Sequence, residues 1–266
     1  MTQFFRMPAR GADAEDAGVR MPGFSDGWAL FLDVDGTLLE LAEHPLAVHV
    51  EPALIQQLSR LQSLAGGAVA LVSGRSIAEL DRLFVPLHLA IAGQHGAELR
   101  HADGKTEVDR PRIAAVATAR GALAALASQN HGLYFEDKGA ALAVHYRRVP
   151  QLGPLVERTL QDVARRSGGE FAMQTGKMVR ELVPHGKNKG GAIAEFMREP
   201  PFAGRIPVFL GDDMTDEDGF ALVGKIAGHA IKVGPGESIA PHRIADVRGV
   251  RRWLFEYADW LETRGN

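Results

Sequence analysis

The sequence predicts an α/β fold: a doubly wound parallel sheet into which a smaller α+β layer is inserted. Short apolar runs alternate with segments of helical periodicity over residues 29–92, and the same alternation returns over residues 189–262. This rhythm is typical of a parallel sheet covered by helices on both faces. Residues 140–147 instead alternate apolar and polar side chains, as a half-exposed antiparallel strand does. We therefore expect a Rossmann-like core interrupted by an insert.

The first part of the chain is predicted to form the first strands and helices of the core. The predicted strands are short and mostly apolar, at residues 29–34, 68–72 and 89–92. Residues 51–64 carry leucine and isoleucine at helical spacing, which predicts a helix. Ser76 and Glu79 have the spacing of a capping box, so a second helix is expected to start there. An Asp-Gly turn within residues 97–108 predicts a hairpin.

The later elements complete the core and define the insert. Core helices are predicted at residues 189–197, 216–223 and 251–262, and core strands at residues 207–210 and 230–233. The insert is predicted to hold helices at residues 112–128 and 152–164 and hairpins at residues 134–147 and 171–182. These predictions divide the chain into a polar leader (residues 1–26), a core (residues 27–109 and 186–266) and a cap (residues 110–185).

Composition excludes several classes of protein. The chain has 266 residues, a formal net charge of −3 and no cysteine, which rules out disulfides, thiolate nucleophiles and cysteine-ligated zinc. The charge, without a block of lysine or arginine, argues against nucleic acid as a partner. No stretch approaches the ~20 apolar residues of a membrane span. Asp13, Glu15 and Asp16 interrupt the region where a signal peptide needs apolar residues. We expect a cytoplasmic monomer with no membrane partner.

Two carboxylates follow the first predicted strand. Asp33 and Asp35 lie at the strand end where ligands bind in open α/β sheets, and Gly36 follows at once. An aspartate with its ordinary pKa of ~3.9 is ionised at neutral pH and can attack phosphorus to form an aspartyl-phosphate. Asp33 is the candidate nucleophile. Asp35 is the candidate acid that protonates the leaving alkoxide and then takes a proton from water, which requires Asp35 to be protonated in the substrate complex.

A second acidic segment follows a later core strand and contains Asp212, Asp213 and Asp216. Carboxylates that converge without a nearby arginine repel one another, and a hard divalent cation such as Mg²⁺ resolves the repulsion through oxygen ligands. Ser73, after a strand, and Lys189, at a helix start, are candidates to hold phosphate oxygens. Each segment alone is compatible with a solvated turn or a surface side chain. Their joint placement at strand ends and helix starts favours a catalytic site.

These motifs together resemble those of the haloacid dehalogenase superfamily of phosphohydrolases. The matching segments are residues 33–38, Ser73-Gly74-Arg75, Lys189-Gly190 and Gly211-Asp212-Asp213. The resemblance implies that Asp33 is the nucleophile and Asp35 the acid/base. It also implies Mg²⁺ held by Asp33, by the main-chain carbonyl of Asp35 and by Asp212, with Asp213 and Asp216 acting through waters or from behind these ligands.

Motifs in and around the insert resemble those of the trehalose-6-phosphate phosphatase family within that superfamily. They are residues 93–98, 136–139, 145–147, 176–182 and 211–217, in this order. The resemblance covers residues 29–261. It implies hydrolysis of trehalose 6-phosphate, which is the last step of trehalose biosynthesis. It also implies a functional pairing with a trehalose-6-phosphate synthase. One departure is Val183, where similar proteins usually have a lysine. Lys187 is a candidate to replace part of that charge.

The resemblance further implies that the insert binds the sugar. Its candidate contacts are Glu136, Lys138, Arg147, Lys177 and Glu181. Mixed carboxylates and amines suit hydroxyl groups, which both donate and accept hydrogen bonds. Glu136 shares strand parity with Lys138, and Lys177 with Glu181, so each pair is expected to face one side of its strand. Candidates on the core side are Gly74, Arg75, Gln94 and His95. The strand pattern alone favours a solvated hairpin face with charges of both signs, and the resemblance reverses that balance.

Three other functions remain open at this stage. A related capped phosphatase would act on another sugar phosphate, such as sucrose phosphate or a phosphoglycerate glycoside. A phospho-accepting receiver shares an acidic cluster, a serine or threonine and a lysine on a parallel sheet, although the insert has no place in it. A catalytically silent sensor of trehalose 6-phosphate is disfavoured by the intact Asp33, Asp35, Lys189 and Asp212.

Overall fold

The computed structural model describes residues 21–41, 48–109 and 111–265. Its helices are α1 Pro52–Leu64, α2 Ile77–Phe84, α3 Ile113–Gln129, α4 Gly153–Arg166, α5 Lys189–Phe196, α6 Glu217–Lys225 and α7 Val247–Gly265. Its strands are β1 Trp28–Leu32, β2 Val69–Val72, β3 Ala90–Gly93, β4 Glu98–Arg100, β5 Thr106–Val108, β6 Tyr134–Asp137, β7 Leu142–His145, β8 Phe171–Gly176, β9 Val179–Pro184, β10 Ile206–Gly211, β11 His229–Val233 and β12 His242–Ile244. No helix in these ranges has the length and apolar character that a membrane crossing requires. Most of the predicted leader, residues 1–20, lies outside the described residues.

An eight-stranded sheet forms the core, in the order β12-β11-β10-β1-β2-β3-β4-β5. The strands from β12 to β3 pair in parallel, and β4 and β5 add an antiparallel edge. The prediction of a parallel α/β sheet is confirmed, and the hairpin expected at residues 97–108 supplies its antiparallel edge. Strand β12 was not predicted from the sequence, because a strand of 3 residues with only Ile244 buried shows no periodicity.

Helices cover both faces of this sheet. Leu30 and Leu32 of β1 pack in an apolar cluster with α1 and α7, whereas Ala29 and Phe31 pack in a second cluster with α5 and α6. Every residue of β1 is buried. Because neither face of the sheet is free, the side chains that meet a ligand must lie at the ends of its strands.

The insert contains a second sheet, of four antiparallel strands in the order β6-β7-β9-β8. Leu142 and Val144 of β7 pack against α3 and α4, on the face that the alternation predicted to be apolar. Glu136 and Glu181 both pair with Ala143, which lies between Leu142 and Val144. Successive residues of a strand face opposite sides, so both glutamates point away from the helices.

Two element boundaries differ from the prediction. Helix α7 begins earlier, at Val247, because the Asp246 carboxylate accepts a hydrogen bond from Gly249 N (2.8 Å) and caps the helix there. The turn between β8 and β9 falls at Lys177 and Met178, and Met178 adopts a φ of 63°.

The capping box predicted at the start of α2 is present. Ser76 Oγ accepts from Glu79 N (3.3 Å), and Glu79 Oε2 accepts from Ser76 N (2.9 Å). We expect Ser76→Ala to lower the free energy of unfolding by about 1 kcal/mol, because the helix start loses an acceptor. Urea unfolding followed by circular dichroism measures this change. Ser59→Ala on the exposed side of α1 is the control, and an equal loss in both variants would contradict the capping role.

Candidate active site

Three carboxylates converge where β1 and β10 end side by side. Asp33 directly follows β1, Asp212 directly follows β10, and Asp216 closes a short 3₁₀ turn. One oxygen from each carboxylate lies within 4.8 Å of the others. The convergence follows from the sheet, because Leu32 and Leu210 pair at the ends of two adjacent parallel strands.

Lys189 lies at the centre of this acidic cluster. It is the first residue of α5 and is 3% exposed. Its Nζ donates hydrogen bonds to Asp33 Oδ1 (2.7 Å) and to Asp216 Oδ1 (2.5 Å). The second oxygen of Asp33 accepts from Thr37 Oγ1 (3.0 Å). The lysine and the threonine therefore fix the orientation of the Asp33 carboxylate.

Three carboxylates meet in this buried cluster, and Lys189 contacts the carboxylate oxygens of two of them, Asp33 and Asp216. Burial raises the pKa of Asp33 to about 7, against the opposing charge of Lys189. Burial also raises the pKa of Asp212 to about 7, with Asp33 adding to the shift, and it raises the pKa of Asp216. Although burial opposes it, contact with Asp216 and Asp33 raises the pKa of Lys189, which stays charged. A bound cation in contact with these carboxylates would lower their pKa values and favour the ionised form of all three.

The donor set fits a hard divalent cation such as Mg²⁺, because every candidate ligand atom is an oxygen. Asp216 already has partners, since its Oδ1 accepts from Lys189 and its Oδ2 accepts from Asp213 N (2.9 Å). Both oxygens of Asp33 are likewise occupied, by Lys189 and Thr37, so these contacts do not separate Asp33 from Asp216, and the assignment of Asp33 and Asp212 as direct ligands stays a prediction.

Gly36 lets the first acidic segment approach the second. Its φ is +89°, and a Cβ at this position would overlap the Asp212 carboxylate. We expect Gly36→Ala to weaken divalent-cation binding about 10- to 100-fold, since Asp212 must move. Titration of the purified chain with Mn²⁺ measures the affinity. The matched control is Gly104→Ala, which has a φ of +88° but no atom within 4 Å of the added Cβ; an affinity equal in the two variants would refute the prediction.

Asp35 and Arg75 form a bidentate ion pair. Arg75 Nε donates to Asp35 Oδ2 (2.6 Å) and Nη2 donates to Oδ1 (2.7 Å). Ser73 is buried, and its Oγ accepts from the main-chain N of Arg75 (3.2 Å). Arg75 was predicted to bind substrate, and in this structure its guanidinium holds the predicted acid/base.

Glu181 and Lys138 of the insert meet His95 and Gly74 of the core. Lys138 Nζ donates to Glu181 Oε1 (2.6 Å) and to the carbonyl of Gly74 (2.9 Å). His95 Nε2 lies 2.5 Å from Glu181 Oε2. Burial favours the neutral carboxylic acid, but Lys138 and His95 outweigh it and hold the pKa of Glu181 well below its usual range. Burial lowers the pKa of His95. Glu181 is therefore an anion fixed where the insert contacts the core.

Gln94 forms a second bridge between core and insert. Its Nε2 donates to Glu98 Oε1 (2.6 Å) and to the carbonyl of Lys138 (2.7 Å), and its Oε1 accepts from Ala141 N (2.8 Å). Gln94 and His95 have φ values of 47° and 56°, in the left-handed region. Both side chains were predicted to help bind the sugar, and here they hold the insert against the core.

Asp213 also contacts the insert. Its Oδ2 accepts from the main-chain N of Lys177 (2.9 Å), and its Oδ1 accepts from Met214 N (2.8 Å). The predicted role of Asp213, acting through waters or behind the metal ligands, stays a prediction. The residue lies between the acidic cluster and the turn that joins β8 and β9.

A cavity of about 420 Å³ lies between the core and the insert, within the ~300–1,000 Å³ typical of small-molecule sites. The predicted site residues that line it are Asp33, Asp35, Ser73, Gly74, Arg75, His95, Glu136, Lys138, Arg147, Lys177, Glu181, Lys189, Asp212 and Asp213. Gln94 and Asp216 lie behind this lining, in contact with Lys138 and Lys189.

Several residues that line the cavity were not predicted from the sequence to belong to the site. They include Glu79, Tyr134, His145, Arg148 and Thr215. His145 Nε2 lies 2.8 Å from Glu136 Oε2, and its ring packs against Tyr134 with centroids 5.6 Å apart. The alternation in β7 carried the signal for His145, because it placed that side chain on the face opposite Leu142 and Val144.

The fold and the site define a capped protein of the haloacid dehalogenase fold. A haloacid dehalogenase-like hydrolase from B. subtilis shares the fold, with a TM-score of 0.61 at 14% identity over 85% of this chain and 98% of that chain. The sequence model of the trehalose-phosphatase family matches residues 31–247. The chain belongs to the trehalose-phosphatase family.

Individual members of that family are similar over most of their length. A trehalose-6-phosphate phosphatase from Escherichia coli is 44% identical over 236 residues, which are 88% of this chain and 87% of the relative. The crystal structure of a trehalose-6-phosphate phosphatase related protein has a TM-score of 0.72 at 27% identity, over 89% of this chain and 99% of that one.

Proposed function

We propose that this chain hydrolyses trehalose 6-phosphate to trehalose and inorganic phosphate, through an aspartyl-phosphate on Asp33 and with Mg²⁺ as cofactor. The observation that carries the proposal is the cavity, in which the Asp33 cluster faces the charged side chains of the insert. Membership of the trehalose-phosphatase family and the similarity to the E. coli phosphatase support the choice of substrate.

In the first step, an oxygen of Asp33 forms a bond to phosphorus while the bond from phosphorus to the sugar oxygen breaks. Lys189 and Thr37 hold the Asp33 carboxylate in one orientation, so little freedom is lost on reaching the transition state. Mg²⁺ bound by Asp33, the main-chain carbonyl of Asp35 and Asp212 would offset charge on the phosphoryl oxygens. Ser73, buried at the end of β2, is placed to donate to one of these oxygens.

Asp35 then serves both proton transfers. It gives a proton to the departing sugar oxygen, and it takes one from the water that attacks the aspartyl-phosphate and regenerates Asp33. Arg75 occupies both oxygens of Asp35, so the carboxyl group must leave the guanidinium before it can donate. The phosphate group of an entering substrate would replace Asp35 as the anionic partner of Arg75. Binding of the substrate would thereby free the carboxyl group of Asp35 for proton transfer.

The insert residues distinguish the sugar. Glu136, Lys138, Arg147, Lys177 and Glu181 all face the cavity. Lys138 and Glu181 are fixed by contacts with each other and with the core, so their positions are set before a sugar enters, and such preorganisation lowers the cost of binding a sugar whose hydroxyl groups match them. We therefore propose that these five side chains bind the glucose units.

A panel assay of phosphate release tests the proposal. Trehalose 6-phosphate, sucrose 6-phosphate, glucose 6-phosphate and p-nitrophenyl phosphate are compared at the same Mg²⁺ concentration. We expect kcat/KM to be at least about 100-fold higher for trehalose 6-phosphate than for the other sugar phosphates. A higher kcat/KM for sucrose 6-phosphate would contradict the assignment of trehalose 6-phosphate as substrate. A stable phosphoenzyme without turnover would favour the alternative function of a phospho-accepting receiver.

Removal of the metal is the second test of this function. Chelation with EDTA is expected to lower kcat by at least about 1,000-fold, since several kcal/mol of charge stabilisation is lost. Added Mg²⁺ should restore the rate and, by binding only the folded chain, raise the melting temperature. Full activity after exhaustive chelation would refute the cofactor.

We further expect the enzyme to act as a monomer in the cytoplasm, alongside a trehalose-6-phosphate synthase that supplies its substrate. The absence of cysteine from the sequence is compatible with a reducing compartment. Size-exclusion chromatography with light scattering tests the oligomeric state.

A further inference from the structure

Lys232 is a buried lysine to which the proposed mechanism gives no role. It lies on β11, is 4% exposed, and pairs with Gly211, the last residue of β10. Its Nζ donates to the carbonyl oxygens of Asp212 (2.6 Å) and Val233 (2.8 Å). One ammonium group thus joins the main chains at the ends of two neighbouring strands.

Burial of this ammonium is costly for folding. Both of its hydrogen bonds go to neutral carbonyl groups, and burial lowers the pKa of Lys232 although Asp212 opposes the shift. Ala230, two residues earlier in the strand, belongs to the apolar cluster with α5 and α6. An apolar side chain at position 232 would pack on that face with a smaller loss of solvation. Packing alone therefore does not account for a lysine here.

The residue that Lys232 holds has little freedom to move. The Asp212 carboxylate fills the space that a Cβ on Gly36 would occupy. One of its oxygens lies within 4.8 Å of oxygens of Asp33 and Asp216. A small shift of the Asp212 main chain would carry the carboxylate into Gly36 or away from Asp33. The carbonyl that Lys232 fixes belongs to that same main chain.

We propose that Lys232 is a positioning residue for the metal site, whose ammonium fixes the Asp212 carbonyl and thereby aims the Asp212 carboxylate at the ion. The inference rests on the proposed function, from which it takes the divalent cation. An effect of charge alone would have the opposite sign, because removing a nearby positive charge strengthens the binding of a cation. Loss of a partner behind a metal ligand instead weakens binding by about 10- to 100-fold.

The test is the affinity of the purified full chain for Mn²⁺, followed by electron paramagnetic resonance of the free ion. We expect Lys232→Met to raise the Kd about 10- to 100-fold. Lys225→Met, the same substitution at an exposed position near the end of α6, is the matched control and should leave the Kd unchanged. An unchanged or lower Kd in Lys232→Met would overturn the proposal.

Thermal unfolding without metal shows whether each variant folds. If Lys232→Met does not fold, Lys232→Gln replaces it, and a Kd at least about 3-fold above that of the wild type is expected from misalignment of the ligand. A folded Lys232→Gln with wild-type or tighter binding would overturn the inference. Failure of the wild-type chain to bind Mn²⁺ would refute the metal itself, whereas wild-type binding that neither substitution weakens would refute only the role of Lys232.

Discussion

Asp33→Asn is expected to lower kcat for trehalose 6-phosphate by about 10,000-fold or more, because the amide oxygen is a far weaker nucleophile than the carboxylate. The amide has nearly the shape of the carboxylate, so Lys189 and Thr37 can still contact it and the fold should persist. Release of inorganic phosphate at saturating Mg²⁺ measures the rate. Acid quenching during turnover should trap phosphate on the wild-type chain and none on the variant.

The control for this substitution is Asp162→Asn in α4, where Asp162 pairs with the exposed Arg165. Its kcat should equal that of the wild type, since neither residue is among those described as lining the cavity. If Asp33→Asn kept more than about 1% of the wild-type kcat, the nucleophile would have to be another group.

Glu181→Gln is expected to separate sugar binding from phosphoryl transfer. The substitution removes the charge that Lys138 and His95 share, and we expect kcat/KM for trehalose 6-phosphate to fall about 100-fold. The rate with p-nitrophenyl phosphate should change less than about 5-fold, since that substrate needs only the groups at the strand ends. Steady-state assays of both substrates give the comparison.

Glu157→Gln supplies the matched control for Glu181→Gln. Glu157 also pairs with a cation of the insert, Arg180, which precedes Glu181 in β9 and so points to the opposite face of that strand. Both substrates should react at the wild-type rate in this control.

Glu181→Gln leaves a buried ammonium without its carboxylate and is expected to cost about 3 kcal/mol of stability, so rates are compared below its melting temperature. Equal losses on the two substrates would count against a sugar contact.

The elements of the core could be predicted because their patterns are local. The strands β1, β2 and β10 are short apolar runs, and the capping box at Ser76 needs only two side chains at a fixed spacing. The convergence of Asp33, Asp212 and Lys189 was predictable as well, because carboxyl ends of parallel strands meet at one edge.

The contacts between core and insert could not be predicted in this way. Gln94 reaches Ala141, and His95 reaches Glu181, across many intervening residues, and the pairing depends on how one domain lies on the other. Arg75 was predicted to bind substrate. Its ion pair with Asp35 depends on the pairing of β1 with β2, which the sequence does not show. Lys232 sits in an apolar strand, where the sequence carries no signal for the carbonyl that it holds.

The hydrogen bonds of Asp213 connect the insert to the proposed nucleophile. From Lys177 N the contacts pass through Asp213 and Asp216 to Lys189 and end on Asp33. A displacement of the turn between β8 and β9 would therefore also disturb the hydrogen bonds of Asp213, through which the contacts run to Lys189 and Asp33. Without the contact between Lys177 and Asp213, this chain of hydrogen bonds to the attacking carboxylate would be interrupted at its insert end.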